Sequence, residues 1–231
     1  MSSIYVITGA SRGIGFETVK KLADNGKNVL ATARSEEKLR SLMEHNPEQI
    51  SILPLDITEK PSARKLKDYL ESNGFTISGL VHNAGLLINK PFAELSDADW
   101  AKQIEVNMMG PVRLTRELLS LFEEHSHIVH IGSMGGFQGS DKFPGLSAYS
   151  VTKGTLSILT ECLAVELQSK QVKVNCLCLG AVQTEMLNEA FPGLTAPVEP
   201  SEMGTYISDF VVNGHKFYNG KVLPVALQNP S

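Results

Sequence analysis

The sequence predicts an α/β fold in which a doubly wound parallel sheet carries helices on both faces. Three observations predict it. Short apolar runs rich in β-branched residues alternate with amphipathic segments of helical length, the runs are apolar on both faces, and a glycine-rich turn follows the first run. Strands that are apolar on both sides are typical of buried parallel sheets, and their crossover connections are right-handed.

The predicted elements follow one another in regular order. Strands are predicted at residues 4–7, 28–33, 50–55, 79–82, 127–132 and 172–179, with a last strand at 220–225. Helices are predicted at 13–25, 36–45, 60–73, 97–123 and 149–170, and Ser96 or Asp97 is a good N-cap for the fourth of them. We expect a single domain over residues 1–231, because this length lies within the range of one large α/β domain.

The amino-acid composition and charge indicate what kind of partner the protein binds. Hydrophobic residues make up 42% and charged residues 20% of the chain, as in a soluble protein with a sizeable core. The net charge of -4 and the lack of a basic cluster argue against nucleic acid or an anionic membrane as main partner, so we expect a small molecule. The first strand follows no apolar signal region, and no run is long enough to span a bilayer, which favours a cytoplasmic protein.

Cysteine and histidine show no metal-ligand spacing, so no metal site is predicted. Cys176 and Cys178 would share one face of a buried strand, and with Cys162 we interpret them as reduced core residues. His82 is interpreted as a satisfied polar residue at a strand end.

The turn "TGASRGIG", residues 8–15, lies between the first strand and the first helix. Its glycines, Gly9, Gly13 and Gly15, allow the backbone to approach a phosphate, and the helix N-terminus offers free N–H groups and a favourable dipole. The glycine spacing is wider than in G-x-G-x-x-G. The alternative is a turn that needs glycine for conformational reasons alone.

The end of the second strand indicates which dinucleotide is bound. The segment "ATARSEE" has no acid at its tip, where an Asp or Glu would hold the ribose of NAD, and has Arg34 instead. Arg34 can pair bidentately with a 2′-phosphate, and Arg12 in the glycine turn can help, which favours NADP. The alternative is a pair of solvated surface arginines.

A tyrosine and a lysine four positions apart occur in "SAYSVTKG", residues 147–154. On a helix Tyr149 and Lys153 share one face, so the ammonium could lower the phenol pKa from its ordinary value near ~10 and make the tyrosine an acid or base. An ordinary solvated pair is the alternative for this motif taken alone.

Together, the motifs resemble the short-chain dehydrogenase/reductase superfamily along nearly the whole chain. "TGASRGIG" is followed by "LDIT" with Asp56, by "NAG" at 83–85, by Asn107 in "VNMMGP", by Ser133 in "HIGSMGG" and by "YSVTK". The resemblance implies a Rossmann-like dinucleotide fold. It implies that the cofactor is bound by Gly9, Ser11, Arg12, Gly13, Ile14, Gly15, Arg34, Asp56, Ile57, Asn83, Ala84, Gly85, Tyr149, Lys153, Gly180, Val182 and Thr184.

The resemblance also implies hydride transfer between NADP(H) and a carbonyl or alcohol substrate. Tyr149 would be the general acid or base, and Lys153 would lower its pKa and hold the nicotinamide ribose. Ser133 would hydrogen-bond the substrate oxygen, and Asn107 would anchor a water in a proton relay. Two alternatives stay open: a non-catalytic nucleotide-sensing interaction protein on the same fold, and an epimerase or dehydratase with bound cofactor.

The chain departs from the family pattern near the substrate. Leu179 replaces the usual proline in "NCLCLGAVQT", and Ser133 and Tyr149 are farther apart than is typical. The segment after Thr184 is short and proline-rich, so we expect a short lid and an open cleft. The chain also lacks the glycine pair that often closes the last strand.

The resemblance further implies a homodimer or homotetramer, with the outer faces of helices 97–123 and 149–170 packed across a two-fold axis. These helices have more apolar residues than one buried face needs if several point outward. The residues in question are Leu114, Leu118, Leu156, Leu159 and Leu163.

Overall fold

The computed structural model describes residues 2–227, and the last four residues of the predicted C-terminal segment lie outside this part. The strands are β1 (Ser2–Thr8), β2 (Val29–Ala33), β3 (Ile50–Pro54), β4 (Phe75–His82), β5 (Phe122–Ser133), β6 (Lys173–Leu179) and β7 (Lys221–Val225). They form one parallel sheet in the order β3-β2-β1-β4-β5-β6-β7. The predicted fold class is confirmed.

Eight α-helices connect the strands within the described part of the chain. They are α1 (Gly13–Asp24), α2 (Glu36–His45), α3 (Ser62–Ser72), α4 (Asp97–Ile104), α5 (Gly110–Leu118), α6 (Ser147–Glu166), α7 (Glu185–Ala190) and α8 (Pro200–Asn213). None of these helices combines the length and the apolar character needed to cross a bilayer.

Helices cover both faces of the sheet, as the apolar strands require. On one face α1, α2 and α8 contribute Leu22, Leu42 and Ile207 to a core that is closed to solvent. On the other face α3 and α5 contribute Leu66 and Leu118, also without exposed surface. Burying side chains of this size stabilises the fold by about 1.5 to 3 kcal/mol each.

The side on which successive strands are added to the sheet reverses between β1 and β4. β1 pairs with β2 through Ile7 and Ala31 and with β4 through Ile7 and Val81. The chain leaves β1 towards β2 and β3, then returns to the opposite side of β1 with β4. Such a reversal opens a crevice beyond the carboxyl ends of the strands, where folds of this kind bind ligands.

The long helix predicted at 97–123 is wrong in its interior and at its end. α4 stops at Ile104, a π-helical turn runs over Glu105–Met109, and α5 starts at Gly110. Pro111 has no N–H to donate to the carbonyl four residues earlier, so a regular helix cannot continue through this point. Residues 122 and 123, predicted as helix, begin β5.

Helix α8 is missing from the predicted elements. Its N-terminus has a local signal, because Glu199 and Glu202 form a reciprocal capping box around Pro200. The helix crosses α1 closely at Gly204, where an added Cβ would lie 2.6 Å from Cβ of Glu17. Glu199 and Glu202 therefore indicate the start of a helix in the sequence, although the proline-rich segment before them suggests a loop.

The leucines expected to point outward pack within the chain instead. Leu114, Leu118 and Leu156 are buried, and Leu159 and Leu163 are half-buried against the cores. The prediction for these residues is wrong. Other apolar residues face outward on α6 at seven-residue spacing, with exposed fractions of 54% for Val151, 62% for Ile158 and 73% for Val165.

The cysteine prediction holds for two residues of three. Cys176 and Cys178 are buried free thiols on one face of β6, with their sulfur atoms 3.9 Å apart. Cys162 is also a free thiol, but it is exposed on α6, so its placement in the core is wrong.

Candidate active site

A cleft of about 1860 Å³ lies at the carboxyl ends of the strands, beside the reversal between β1 and β4. It brings together most of the predicted site residues. It is lined by Gly9, Ser11, Arg12, Gly13, Ile14, Arg34, Asp56, Ile57, Asn83, Ala84, Gly85, Ser133, Tyr149, Lys153, Gly180, Val182 and Thr184. Two predicted site residues, Gly15 and Asn107, do not line it.

The glycine turn is shaped for close backbone approach. Gly9 and Gly13 have φ of +67° and +57°, and a Cβ on Gly9 would lie 2.7 Å from Cα of Ala84. α1 begins at Gly13, and no side chain caps its first turn. Its N–H groups can therefore bind a phosphate. Gly15 serves packing instead, because a Cβ there would lie 2.6 Å from the carbonyl oxygen of Gly9.

Asn83 and Thr8 fasten the glycine turn to β4. Asn83 Nδ2 donates to the carbonyl oxygens of Thr8 and Gly9 at 3.0 and 3.1 Å. Thr8 Oγ1 accepts from the backbone N–H groups of Asn83 and Ala84, both at 3.1 Å. Thr8 was overlooked, although it is the first residue of the quoted glycine motif.

The ends of β2 and β3 form the far end of the cleft. Arg34 is exposed there, and among residues 2–227 no carboxylate pairs with it. Asp56 Oδ1 accepts hydrogen bonds from the backbone N–H and the hydroxyl of Thr58, at 2.9 and 2.7 Å. This local turn fixes the loop after β3 and leaves the second carboxylate oxygen of Asp56 free of this turn.

Ser133, Tyr149 and Lys153 converge where β5 ends and α6 begins. Ser133 is the last residue of β5, and its hydroxyl accepts from the backbone N–H of Gly135 at 3.1 Å. Tyr149 lies in the first turn of α6. Lys153, one turn later, is buried, and its Nζ lies 5.9 Å from the centroid of the Tyr149 ring.

Burial dominates the ionisation of this group. Desolvation raises the pKa of Tyr149 to about 12, against the opposing effect of its hydrogen bond with Ser133. Desolvation also lowers the pKa of Lys153 to about 8, with Cys176 and Cys178 acting in the opposite direction. The pKa of Tyr149 is thus raised, where the sequence predicted that it would be lowered, and the group that opposes desolvation is Ser133.

Asn107 is buried next to the cleft and does not line it. Its Oδ1 accepts from the backbone N–H of Leu86 at 2.8 Å, and its Nδ2 donates to the Leu86 carbonyl and to Thr152 Oγ1, both at 2.9 Å. The buried carboxamide braces the loop after β4 against α6. The π-helical turn directs it there, as such turns often do at functional sites.

The loop after β6 keeps its predicted place despite the missing proline. Leu179 pairs with Val225 at the end of β6, and the backbone N–H of Gly180 donates to the Val225 carbonyl at 2.9 Å. Val182 is buried, and Thr184 caps α7 by accepting from the backbone N–H of Leu187. The β7 strand thus holds the loop that the proline would otherwise stiffen.

Helix α7 contacts both sides of the cleft. Glu189 forms an ion pair with Arg12 of the glycine turn at 2.8 Å. The Ala190 carbonyl accepts from Asn89 Nδ2, also at 2.8 Å, on the loop after β4. The short lid expected after Thr184 is thus a helix that contacts both sides of the cleft. Asn89 and Glu189 belong to no motif, and only their position in space indicates a role.

His82 is only half satisfied. Its Nε2 bonds Thr115 Oγ1 at 2.9 Å, whereas its Nδ1 is buried without a hydrogen-bond partner. The ring stacks on that of His130, with centroids 5.2 Å apart. The interpretation of His82 as a satisfied polar residue is correct for one ring nitrogen only.

Comparison with known proteins identifies the family. The family model for short chain dehydrogenases matches residues 3–194. The 3-oxoacyl-(acyl-carrier-protein) reductase FabG of Escherichia coli (strain K12) is 28% identical over 207 residues, covering 87% of this chain and 84% of the relative. The NADP-dependent 3-hydroxy acid dehydrogenase YdfG of the same strain is 30% identical over 206 residues, covering 87% and 82%.

A solved structure agrees with these relatives. The short-chain dehydrogenase/reductase described as a glucose/ribitol dehydrogenase, from Brucella melitensis, superimposes with a TM-score of 0.88 at 28% identity, covering 97% of this chain and 95% of the other. The chain belongs to the short-chain dehydrogenase family. It is an oxidoreductase of the class that acts on CH–OH and C=O groups with a nicotinamide cofactor.

Proposed function

We propose that the protein transfers a hydride between NADP(H) and a small carbonyl or alcohol substrate, with Tyr149 as the general acid or base. The observation that carries the proposal is the convergence of Ser133, Tyr149 and Lys153 in one cleft at the end of β5. This cleft lies beside the strand reversal, where dinucleotide folds bind their ligands.

Each side chain of the site has its own role in carbonyl reduction. A bound nicotinamide cofactor supplies the hydride. Tyr149 donates a proton to the carbonyl oxygen, and Ser133 donates a hydrogen bond to the same oxygen. Because the Tyr149 pKa is raised to about 12, the phenol is protonated at neutral pH, as reduction requires. Lys153, with a pKa of about 8, is still mainly charged there and faces the same end of the cleft.

The far end of the cleft supports NADP rather than NAD. Arg34 and Lys38 line the cleft beside the end of β2, and no acidic residue stands at the tip of that strand. A 2′-phosphate would find two cations there, whereas the ribose diol of NAD would find no carboxylate acceptor at that tip. The uncapped first turn of α1 suits the pyrophosphate.

The test is steady oxidation of NADPH by the purified protein over a panel of ketones and aldehydes. Tyr149→Phe removes only the transferable proton, so it should lose about 10²- to 10⁴-fold in kcat and keep its affinity for NADPH. Steady consumption of external cofactor also separates this function from its two rivals. A nucleotide-sensing interaction protein and an epimerase or dehydratase would both bind the cofactor without net oxidation.

We further propose a homodimer or homotetramer, a single domain and a cytoplasmic location. The exposed stripe of Val151, Ile158 and Val165 on α6 supports an interface between copies, because these residues lie at seven-residue spacing on one side of a long helix. Ile158→Asp should convert the assembly to single chains of 25.1 kDa in light scattering. A 25.1 kDa mass for the unmutated protein would contradict the oligomer.

A further inference from the structure

Several charged side chains of the cleft lie at the end expected to bind the cofactor. Glu185 lies beside the glycine turn, since a Cβ on Gly13 would be 3.6 Å from its Oε2. Arg113 forms an ion pair with Glu105 and approaches the carbonyl oxygens of Ile57 and Thr58, in the loop after β3. Glu185 and Arg113 therefore lie beside the two segments expected to bind the cofactor, the glycine turn and the loop after β3.

The end of the cleft around Tyr149 is apolar. Three segments enclose it: the loop after β4, the loop before α6, and the segment after α7. Asn89 Nδ2 bonds the carbonyl of Ala190, the last residue of α7, and the backbone N–H of Lys90 bonds the Gly145 carbonyl, in the loop before α6, at 3.1 Å. The side chains that these segments place on the cleft are Leu86, Leu87, Phe143, Leu146, Phe191 and Leu194.

The nearest lysines are engaged elsewhere. Lys90 Nζ pairs with Asp99 at 2.8 Å, and Lys142 Nζ donates to the Phe137 carbonyl at 2.6 Å. Neither lysine lines the cleft. Lys153 borders this end, where its Nζ donates to the Ile131 carbonyl at 2.7 Å, and Lys102 lines the cleft from α4. An anionic group bound among these apolar side chains would lose its hydration.

We propose that the substrate is a lipophilic ketone or aldehyde whose groups beside the carbonyl are uncharged, with no carboxylate, sulfonate or phosphate near the reacting carbon. This inference rests on the proposed function. In the reduction a hydride adds to the carbonyl carbon and a proton from Tyr149 adds to the oxygen, so the C=O π bond becomes one C–H and one O–H bond while NADPH becomes NADP⁺. Phe143 and Leu194, which are 41% and 47% exposed, form an apolar mouth through which such a molecule would enter.

A matched pair of substrates tests this inference. Ethyl 3-oxohexanoate and 3-oxohexanoate share one carbon chain and one ketone, and only the second is an anion at neutral pH. We expect kcat/KM with NADPH to be at least about tenfold higher for the ester, because binding among apolar side chains removes the carboxylate from water. Equal or better use of the acid by the unmutated protein would overturn the inference and leave the proposed function intact.

A matched pair of variants adds a second readout. Phe143→Arg puts a cation at the mouth and should raise the ratio of acid to ester kcat/KM by about tenfold. Phe217→Arg makes the same change at a residue that is 79% exposed and outside the cleft, so it should leave that ratio unchanged. An equal shift from both variants would point to long-range charge and would count against the apolar site.

Binding is measured separately from turnover. Saturation-transfer difference NMR on the protein with NADP⁺ should show transfer to the ester and none to the acid. If no carbonyl oxidises NADPH, the proposed function fails, and the NMR comparison decides the inference alone. Transfer to the ester only would support the apolar site, and transfer to both or to neither would overturn it.

Discussion

Lys153 donates a hydrogen bond to the backbone carbonyl of Ile131 at 2.7 Å, while its Nζ lies 5.9 Å from the centroid of the Tyr149 ring. The ammonium is thus anchored to β5 and does not bond the phenol it was expected to activate. Lys153 is buried and Tyr149 is half-buried, and loss of solvation raises the pKa of Tyr149 to about 12 and lowers that of Lys153 to about 8.

The first prediction concerns the titration of Tyr149 in the protein without ligand. The difference in ultraviolet absorbance between the unmutated protein and Tyr149→Phe should show no tyrosinate between pH 7 and about pH 10, because the desolvated phenol keeps its proton. A tyrosinate signal near neutral pH that disappears in Tyr149→Phe would show that Lys153 does control the phenol.

The second prediction concerns cofactor choice. Arg34→Asp replaces a cation at the end of β2 by a ribose acceptor, so the preference for NADPH over NADH should fall by roughly tenfold or more and should invert at low salt. The measurement is kcat/KM for both cofactors at fixed ionic strength. Arg40→Asp is the control, since Arg40 is an exposed arginine on α2 that does not line the cleft. A preference for NADH in the unmutated protein would remove the basis for NADP.

The third prediction concerns the ion pair between α7 and the glycine turn. Glu189→Gln should free Arg12 for the cofactor and lower the KM for NADPH by about twofold to fivefold, a small effect because exposed ion pairs are weak. Glu161→Gln is the matched control on the exposed side of α6. A higher KM in Glu189→Gln would mean that the pair holds α7 in a position that the cofactor needs.

Local patterns were sufficient to predict the strands and the glycine turn. Alternating apolar runs identify β1 to β7. Gly9 and Gly13 adopt positive φ, a conformation that favours glycine, so the turn can be recognised without knowledge of the rest of the fold. The break at Glu105–Met109 was not predictable from periodicity, because the segment keeps a helical pattern through it. Only the bonds of Asn107 to Leu86, 21 residues away, show what the break achieves.

The lid and the ionisation of the site depend on contacts between distant parts of the chain. Asn89 and Ala190 are 101 residues apart, and neither has a residue type that indicates the hydrogen bond between them. The pKa of Tyr149 follows from how completely the fold desolvates it, whereas sequence spacing shows only that Lys153 lies one helical turn away. For this reason the motif predicts which residues meet at the cleft, whereas the raised pKa of Tyr149 could not be anticipated from it.

The last prediction concerns stability at acidic pH. Burial lowers the pKa of His130 to about 3 and that of His127 to about 4, and it holds the pKa of His82 well below its ordinary value. These groups stay neutral in the folded protein but take up protons in the unfolded chain below about pH 6.5. The unfolded state therefore binds more protons as the pH falls, and the stability present at neutral pH is lost between about pH 6.5 and pH 4.

Each such histidine should contribute a slope of up to about 1.4 kcal/mol per pH unit in that window. His130→Asn keeps a polar group near Thr160, which bonds His130 Nδ1 at 2.7 Å, and should reduce the slope by about one proton even if stability at neutral pH also falls. Urea unfolding followed by circular dichroism at several pH values gives the slope.

The control is His125→Asn, an exposed position with φ of +65° that asparagine adopts readily. Asp99, whose pKa is lowered to about 2, titrates below this window and does not obscure it. An unchanged slope in His130→Asn would show that His130 is protonated in the folded protein, against the burial that the structure gives it.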